Sequence, residues 1–552
     1  MNTRAAGLIL ALSLIPAFTE ANPPPPPPRA LGLCSSGGSP TEAPAKVARL
    51  MPGYGDATFK IRTPSADAQA FFDNGLQLGH AFAHHPALAA FEEASRRDPN
   101  CAMCLWGQAW AGGATINFTV DDKVQARYAE LMKRATVLAA DGPQLERDLI
   151  AAMVKRYDHG GGAGPGDDAY AEAMYAIAQA HPDSDELAVL ASDALMVPDA
   201  QRNTTKNSPR IVALLEGVLK RAPDNVGAVH FYIHATEMAG FAPRAEAAAD
   251  RLERLAPKAS HLVHMPSHTY YWVGRYEDAL TSNQRASVLD GQNAQAQGLE
   301  GPFGLFYHGH NVQYGTAGAL MSGDGAGALA LGRPAIDYAT TAKTPSPWDQ
   351  LIAGTAYAAE GRFAEPAAVL ALAEPKLPYL QAMWRYARGE ALARTGDLAG
   401  LKRETALVDR SAEQLKDVGQ YAGQMSQATD LARLVLEGRL ALLEHRPKDA
   451  VAMFRKAAEL EETRFTDITD PPMWWYPPRR DLAVALLAAG DAKGAAFEAH
   501  ASLTRRARDP VALAVLARAE RAQGQKDAAD AHLAEARKAW RGAPGALDLA
   551  AG

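Results

Sequence analysis

The chain has 552 residues, of which 47% are hydrophobic and 22% charged, so it is long enough for an extended folded array and too apolar to be disordered throughout. Its formal net charge of -7 provides no overall positive field, which makes nucleic acid and anionic membrane surfaces poor partners. Three cysteines cannot cross-link a chain of this length, so a hydrophobic core must stabilise the fold.

The N-terminus has the order of features expected of a secretory signal. Arg4 precedes an apolar run at residues 5–18, and Thr19, Glu20 and Ala21 follow, with the small residue Ala21 at the predicted cleavage site. We therefore predict a signal peptide at residues 1–21 and a periplasmic or secreted protein. No later segment offers about 18 uninterrupted apolar residues, so no membrane span is expected.

Two breaks in composition divide the rest of the chain. Residues 22–64 are predicted to be a spacer, because the six consecutive prolines at 23–28 form a stiff, extended segment that cannot join a packed core. Residues 160–166 are rich in glycine and lack the Lys-Ser/Thr pair of a phosphate-binding loop, so they are predicted to be a flexible connector. The predicted repeat regions are residues 65–158, 167–345 and 346–545.

Outside these breaks the chain is predicted to be all helical. Apolar residues recur at helical spacing, and the alternating β-branched runs typical of strands are scarce. Gly75 and Ala87 are small enough to let two helices cross closely, Phe91 and Ala94 would fill the space between them, and Pro99 would end the second helix. This pattern is similar to the tetratricopeptide repeat (TPR), a helical hairpin of about 34 residues.

Similar units recur along the chain. Pro223 and Pro257 lie 34 residues apart and are predicted to end the second helices of two successive repeats. The resemblance covers roughly residues 65–540. It implies an all-α, TPR-like solenoid, a superhelix of helical hairpins whose concave groove binds a peptide, a protein partner or a small molecule, and it implies no particular activity.

Histidine is concentrated in one segment. Seven of the 15 histidines lie within residues 230–310, where even spreading would place about two. His230 and His234 are four residues apart and therefore share one helix face, and His264 and His268 repeat this pair 34 residues later. Because neighbouring helices pack about 8–10 Å apart, the two pairs are expected to converge on one ion or on two close ions.

The TPR resemblance implies a larger set in the same groove. If Val226 is the first residue of its repeat, the two histidine pairs take groove-lining positions, and His261, His310 and Glu237 take others. The predicted metal ligands are His230, His234, His261, His264, His268 and His310. Glu237, the candidate catalytic residue, is predicted to be a further ligand, a partner that orients an imidazole, or a general base, with a solvated surface charge as the alternative.

A ligand set of imidazoles suits copper, iron or zinc and argues against calcium or magnesium, which prefer oxygen ligands. In an oxidising compartment we favour copper, then iron, then zinc. The resulting hypothesis is an exported protein that binds a transition metal. If the protein is an enzyme, the hypothesis is that it uses the metal to oxidise a peptide or small molecule. The alternatives are a non-catalytic scaffold whose histidines bind an acidic peptide, and a metal storage or delivery protein.

Three further features are candidates for function. His80 shares the groove register, and Cys101 and Cys104 are predicted to form a disulfide with each other, or one of them with Cys34. The proline- and aromatic-rich segment 465–480, which contains Asp470, is predicted to cap the groove or bind a ligand, or else to be a packed connection to a helix that starts at Arg479. The stretches around the histidine pairs also resemble those of exported histidine-rich TPR proteins, which implies no established activity.

Overall fold

The computed structural model describes residues 48–158, 164–412, 415, 421–465, 470–543 and 545–547. Within these residues the chain forms 25 α-helices and no β-strand, which confirms the all-α prediction. The predicted signal peptide, the spacer up to residue 47 and most of the glycine connector lie outside the described residues, so export stays a prediction.

Helices that are consecutive in the chain mostly pack against each other. The first eight are α1 (Ala66–His80), α2 (His84–Arg97), α3 (Ala102–Ala111), α4 (Asp122–Leu138), α5 (Gln144–Asp158), α6 (Pro165–Ala180), α7 (Asp185–Arg202) and α8 (Ser208–Arg221). The central helices are α9 (Val226–Met238), α10 (Glu246–Leu255), α11 (Ser260–His264), α12 (Pro266–Val273), α13 (Tyr276–Gln297), α14 (His308–Ser322) and α15 (Gly325–Thr341).

Ten more helices complete the chain: α16 (Pro347–Phe363), α17 (Pro366–Leu370), α18 (Pro378–Thr395), α19 (Leu398–Ala412), α20 (Ala422–Leu443), α21 (Pro447–Arg464), α22 (Arg479–Ala488), α23 (Ala492–Arg505), α24 (Pro510–Ala522) and α25 (Lys526–Ala539). The start of α22 at Arg479 is the one predicted. The division into three groups of repeats stays a prediction. No helix in the described residues is both long and apolar enough to cross a bilayer.

The helical hairpins pack as the repeat pattern predicts. A Cβ atom at Gly75 on α1 would lie only 2.7 Å from the ring of Phe91 on α2, so the missing side chain is what lets the two helices approach. Phe91 and Ala94 are fully buried between them. Helices α8 and α10 end two residues before Pro223 and Pro257, because proline cannot continue a helix. The chain therefore has a TPR-like fold.

The superhelix closes on itself around its central repeats. The Tyr276 hydroxyl, at the start of α13, donates to the carbonyl of Ala507 at 2.7 Å, and the backbone N–H of Arg541 donates to the carbonyl of Ser322 at 2.8 Å. Nearer the middle, the Tyr271 hydroxyl donates to the carbonyl of Trp475. The C-terminal repeats thus cover the concave side of the central ones, which removes the histidine segment from solvent.

Candidate metal centre

The histidines lie on the first helices of three consecutive hairpins, and the second of these first helices is divided into α11 and α12. Helix α9 carries His230, His234 and Glu237, helices α11 and α12 carry His261, His264 and His268, and helix α14 carries His310. The Asn225 side chain fixes the start of α9 by accepting a hydrogen bond from the Ala228 N–H at 2.8 Å. All six predicted histidines converge in the interior, and each is at most 3% exposed.

The first triad is formed by His230, His234 and His261. One ligand atom from each lies within 4.8 Å of those of the other two. The Nε2 atoms of His230 and His261 are 3.1 Å apart. Nε2 of His234 is buried and has no hydrogen-bond partner among the described residues.

The second triad is formed by His264, His268 and His310, again with ligand atoms within 4.8 Å of one another. Nε2 of His268 lies 2.9 Å from Nε2 of His264 and 3.3 Å from Nε2 of His310. The two triads are adjacent, since the ring centroids of His234 and His268 are 5.3 Å apart. These two rings also form a third close group with Glu237.

Oxygen acceptors hold the outward-facing nitrogens of three rings. Nδ1 of His230 lies 2.6 Å from the carbonyl oxygen of His80, Nδ1 of His264 lies 2.6 Å from Oδ1 of Asn283, and Nδ1 of His268 lies 2.6 Å from Oε2 of Glu237. A neutral imidazole carries one proton, and these acceptors place it on Nδ1. The Nε2 lone pairs of the three rings therefore face inward.

Burial favours the neutral form of these rings. Desolvation lowers the pKa of His264 to about 4. For the other five rings, desolvation and the neighbouring imidazoles together lower the pKa well below the usual value; these are His230, His234, His261, His268 and His310. Neutral imidazole is the form that binds a metal ion.

Glu237 is buried rather than a solvated surface charge. Its Oε1 atom accepts hydrogen bonds from Trp272 Nε1 at 2.7 Å and from the Tyr314 hydroxyl at 2.9 Å, while Oε2 faces His268. The carboxylate is 7% exposed. With three donors directed at its two oxygens, Glu237 is arranged to orient His268.

Asp470 also reaches the centre, although the sequence pattern does not predict it to be a site residue. Its Oδ1 atom lies 3.0 Å from Nδ1 of His268 and 3.7 Å from Nε2 of His310. Within the described part of the proline- and aromatic-rich segment, residues 470–480, Asp470 lies against the centre and the chain then continues into α22. In the sequence, only its place in this unusual stretch marks Asp470 as a candidate site residue. About 200 residues separate it from His268, so no local spacing connects the two.

The other predicted groups lie outside the two triads. The ring of His80 faces Glu186, with Nε2 to Oε1 at 2.7 Å, so His80 contributes to the centre only through its backbone carbonyl. Cys101 and Cys104 form a disulfide at the start of α3, which resolves the pairing that the sequence left open.

No protein-family model and no curated protein matches the sequence. Among solved structures, the chain is similar to human IFIT1 in its dimer with m7Gppp-AAAA, at 12% identity and a TM-score of 0.33 over 84% of this chain and 94% of that one. It is also similar to the P58(IPK) TPR domain, at 13% identity and a TM-score of 0.21 over 83% and 99%. The APC/C Cut9-Hcn1 hetero-tetramer gives 13% identity and a TM-score of 0.27 over 89% and 77%.

These low scores carry no functional argument. The class of protein follows from the helical hairpins and the site themselves: a TPR-like solenoid with two histidine triads enclosed at its centre.

Proposed function

We propose that the protein is an exported metalloprotein that binds two transition-metal ions, one in each histidine triad, and that the pair performs oxidative chemistry on a small molecule or peptide. Copper is favoured over iron and zinc. The proposal depends on the export prediction for its compartment and on the geometry of the triads for its metal.

The observation that carries the proposal is the contact between His264 and His268. The Asn283 amide is oriented by its own hydrogen bond from Nδ2 to the carbonyl of Ala279, so Oδ1 faces His264. Glu237 faces His268 with a carboxylate oxygen. Both rings are thus protonated on Nδ1, and two Nε2 lone pairs lie 2.9 Å apart.

Two lone pairs at this distance repel unless a cation lies between or beside them. A shared proton would require an imidazolium, which burial opposes because the pKa of His264 is lowered to about 4. A metal ion removes the repulsion and uses both lone pairs. Two imidazole nitrogens bound to one ion at about 2.0–2.1 Å lie about 3.3 Å apart in tetrahedral geometry. The observed Nε2 separations of 2.9, 3.1 and 3.3 Å are near that value.

The surroundings also resemble those of metal-bound histidines. Such rings usually donate their other nitrogen to a carbonyl, amide or carboxylate oxygen, as His230, His264 and His268 do. Glu237 therefore supports the proposal as a positioning residue, rather than as a ligand or general base. Asp470 adds negative charge beside the second triad, which offsets part of the charge of a bound cation.

Two adjacent redox-active ions can together accept two electrons from one substrate, with dioxygen as the terminal oxidant; this is the chemistry that a copper pair would supply. A storage or delivery protein would bind the same ions without turnover. A non-catalytic scaffold that binds a peptide or protein partner is equally consistent with the fold. Burial, which lowers the pKa of His264 to about 4, opposes a positive charge for an acidic ligand at the triads.

The test is metal content of protein prepared without a histidine tag, loaded with copper and dialysed. We expect about two equivalents in the wild type and about one in His264→Ala and in His230→Ala. His181→Ala, which changes an exposed histidine at the end of α6, should retain the wild-type content. Less than about 0.1 equivalent of copper, iron or zinc after loading would contradict the proposal. Oxygen uptake by the loaded protein with phenols and peptides then separates oxidation from storage.

A further inference from the structure

A small cavity lies beside the first triad. It has a volume of about 110 Å³, and His261 forms part of its wall. Aromatic side chains supply much of the remaining wall: Tyr54, Phe82, Phe306 and Tyr307. The cavity is therefore a space next to the proposed metal centre whose chemistry can be read from its lining.

Two of these aromatic rings also pack directly on the triad. The ring centroid of Tyr307 lies 4.6 Å from that of His261, and the centroid of Phe82 lies 4.9 Å from His261 and 4.5 Å from His230. Phe82 adopts a left-handed backbone conformation, with φ of 54°, that a bulky side chain rarely takes. The surrounding packing holds this residue so that its ring lies against both the cavity and the first triad.

The lining favours a neutral ligand. Among the described residues that line the cavity there is no lysine or arginine, so no permanently charged cation there would balance an anion. Its carboxylate, Asp290, lies 2.9 Å from Nδ1 of His308 and accepts from Nδ2 of Asn311 at 2.8 Å. His84 is another lining residue, and burial lowers its pKa to about 3, so it adds no positive charge.

One polar pair lies against the cavity. Nε2 of His84 is 3.3 Å from the Tyr307 hydroxyl, which also accepts a hydrogen bond from Asn117 Nδ2 at 2.9 Å. The His84–Tyr307 contact is long for a hydrogen bond that involves a hydroxyl. His84 and Tyr307 both line the cavity, so they are polar groups that a ligand hydroxyl would meet there.

The volume is comparable with that of one ring. An engineered protein cavity of about 150 Å³ accepts benzene, so a space of about 110 Å³ is of the order that suits a single six-membered ring. Aromatic walls favour a flat aromatic ring by offset or edge-to-face contacts.

We infer that this cavity is the substrate subsite of the metal centre and binds one neutral, single-ring aromatic molecule of the phenol class. The link to oxidation rests on the proposed function, whereas binding of the aromatic molecule does not require a metal. The aromatic binding site and the metal-dependent oxidation can therefore be tested separately.

The test uses 4-fluorophenol as the probe and ¹⁹F NMR titration of the full chain, with and without copper. We expect saturable binding to both forms, and at least about tenfold weaker binding of 4-fluorobenzoate, an anion of similar size, and of cyclohexanol, which lacks the aromatic ring. Ala83→Trp fills the cavity and should weaken 4-fluorophenol binding by at least about tenfold. Val137→Trp, at a position 75% exposed on α4, should bind as the wild type does.

The comparison of ligands on the wild type keeps the test valid if Ala83→Trp fails to fold. Absence of 4-fluorophenol binding, or equal binding of 4-fluorobenzoate, overturns the inference. So does undiminished binding to folded Ala83→Trp. If the protein binds 4-fluorophenol but takes up no metal, the aromatic site is supported and the metal proposal is wrong. If it takes up metal but does not bind 4-fluorophenol, the metal proposal is supported and the aromatic site is wrong.

Discussion

Individual side chains decide which nitrogen of each histidine faces the centre. His268 points Nε2 toward His264 because its Nδ1 is held by Glu237, and Glu237 is in turn held by Trp272 and Tyr314. Helical spacing alone brings two imidazoles to one face but leaves their ring rotation open. The hydrogen-bonded neighbours therefore convert a group of nearby histidines into a set of aligned lone pairs.

Replacing Glu237 by glutamine tests this role. In Glu237→Gln one carboxylate oxygen becomes an amide NH₂, so at least one of the three donors around it loses its acceptor. We expect copper affinity to fall by about 10–100-fold, as measured by competition with a chelator, while saturating copper still fills the same number of sites.

The matched control is Glu216→Gln on α8. Glu216 also accepts a hydrogen bond from a tyrosine, the Tyr232 hydroxyl at 2.7 Å, but it lies outside the centre. Its substitution should leave copper affinity unchanged. Equal affinities for all three proteins would show that Glu237 does not position His268.

Within each helical hairpin, the packing of large side chains against small ones sets the distance between helices. Phe91 on α2 is fully buried, and Cβ atoms at Gly75 on α1 and Gly107 on α3 would lie 2.7 and 2.2 Å from its ring. One phenylalanine thus fills the space between three helices, which is why the local pattern of glycine and aromatic residues predicts the hairpin.

Phe91→Ala leaves a cavity at this three-helix contact. We expect the free energy of unfolding of the N-terminal repeats to fall by about 3–5 kcal/mol, seen as an earlier urea transition. Phe497→Ala, at a position 68% exposed on α23, should change it by no more than about 0.5 kcal/mol. Coincident transitions for Phe91→Ala and the wild type would contradict this account of the hairpin.

Closure of the superhelix encloses the centre. Trp540 follows α25 and packs on Gly323, where a Cβ would lie 2.4 Å from its ring, and the adjacent Arg541 bonds the backbone of Ser322. Together with the Tyr276 and Tyr271 hydrogen bonds to the C-terminal repeats, this contact covers the concave side. We expect a bound ion to leave through a local opening of these contacts.

Trp540→Ala should loosen the closure without touching the triads. We expect copper to be lost to an excess of chelator several-fold faster than from the wild type, since the opened state becomes more populated, while copper content before the challenge stays the same. Val137→Ala, remote from the contact, serves as the control. An unchanged rate of loss would mean that the ion exits by a route that does not open this contact.

Repeat periodicity explains how far the sequence could predict the site. The 34-residue offset between the histidine pairs places them on equivalent first helices, and the TPR register adds His261, His310 and Glu237. The structure brings all of them together. The periodicity did not reveal that the six rings separate into two triads, because that depends on helix crossing and on ring rotations set by Asn283 and the His80 carbonyl.

Contacts between residues far apart in the chain were beyond the sequence. Asp470 reaches His268 only because the superhelix closes, and no short-range pattern encodes its curvature. Phe82 stands beside the first triad in a backbone conformation that no residue pattern signals.

Local spacing by itself determined the helices, their pairing into hairpins and the face on which the histidines lie, since all three depend on contacts within one or two repeats. Only the tertiary structure decided that the groove is enclosed, that Glu237 orients a ring, and that a carboxylate and an aromatic-lined cavity adjoin the triads. These features arise from the summed small rotations between successive hairpins, which bring residues more than 200 positions apart into contact.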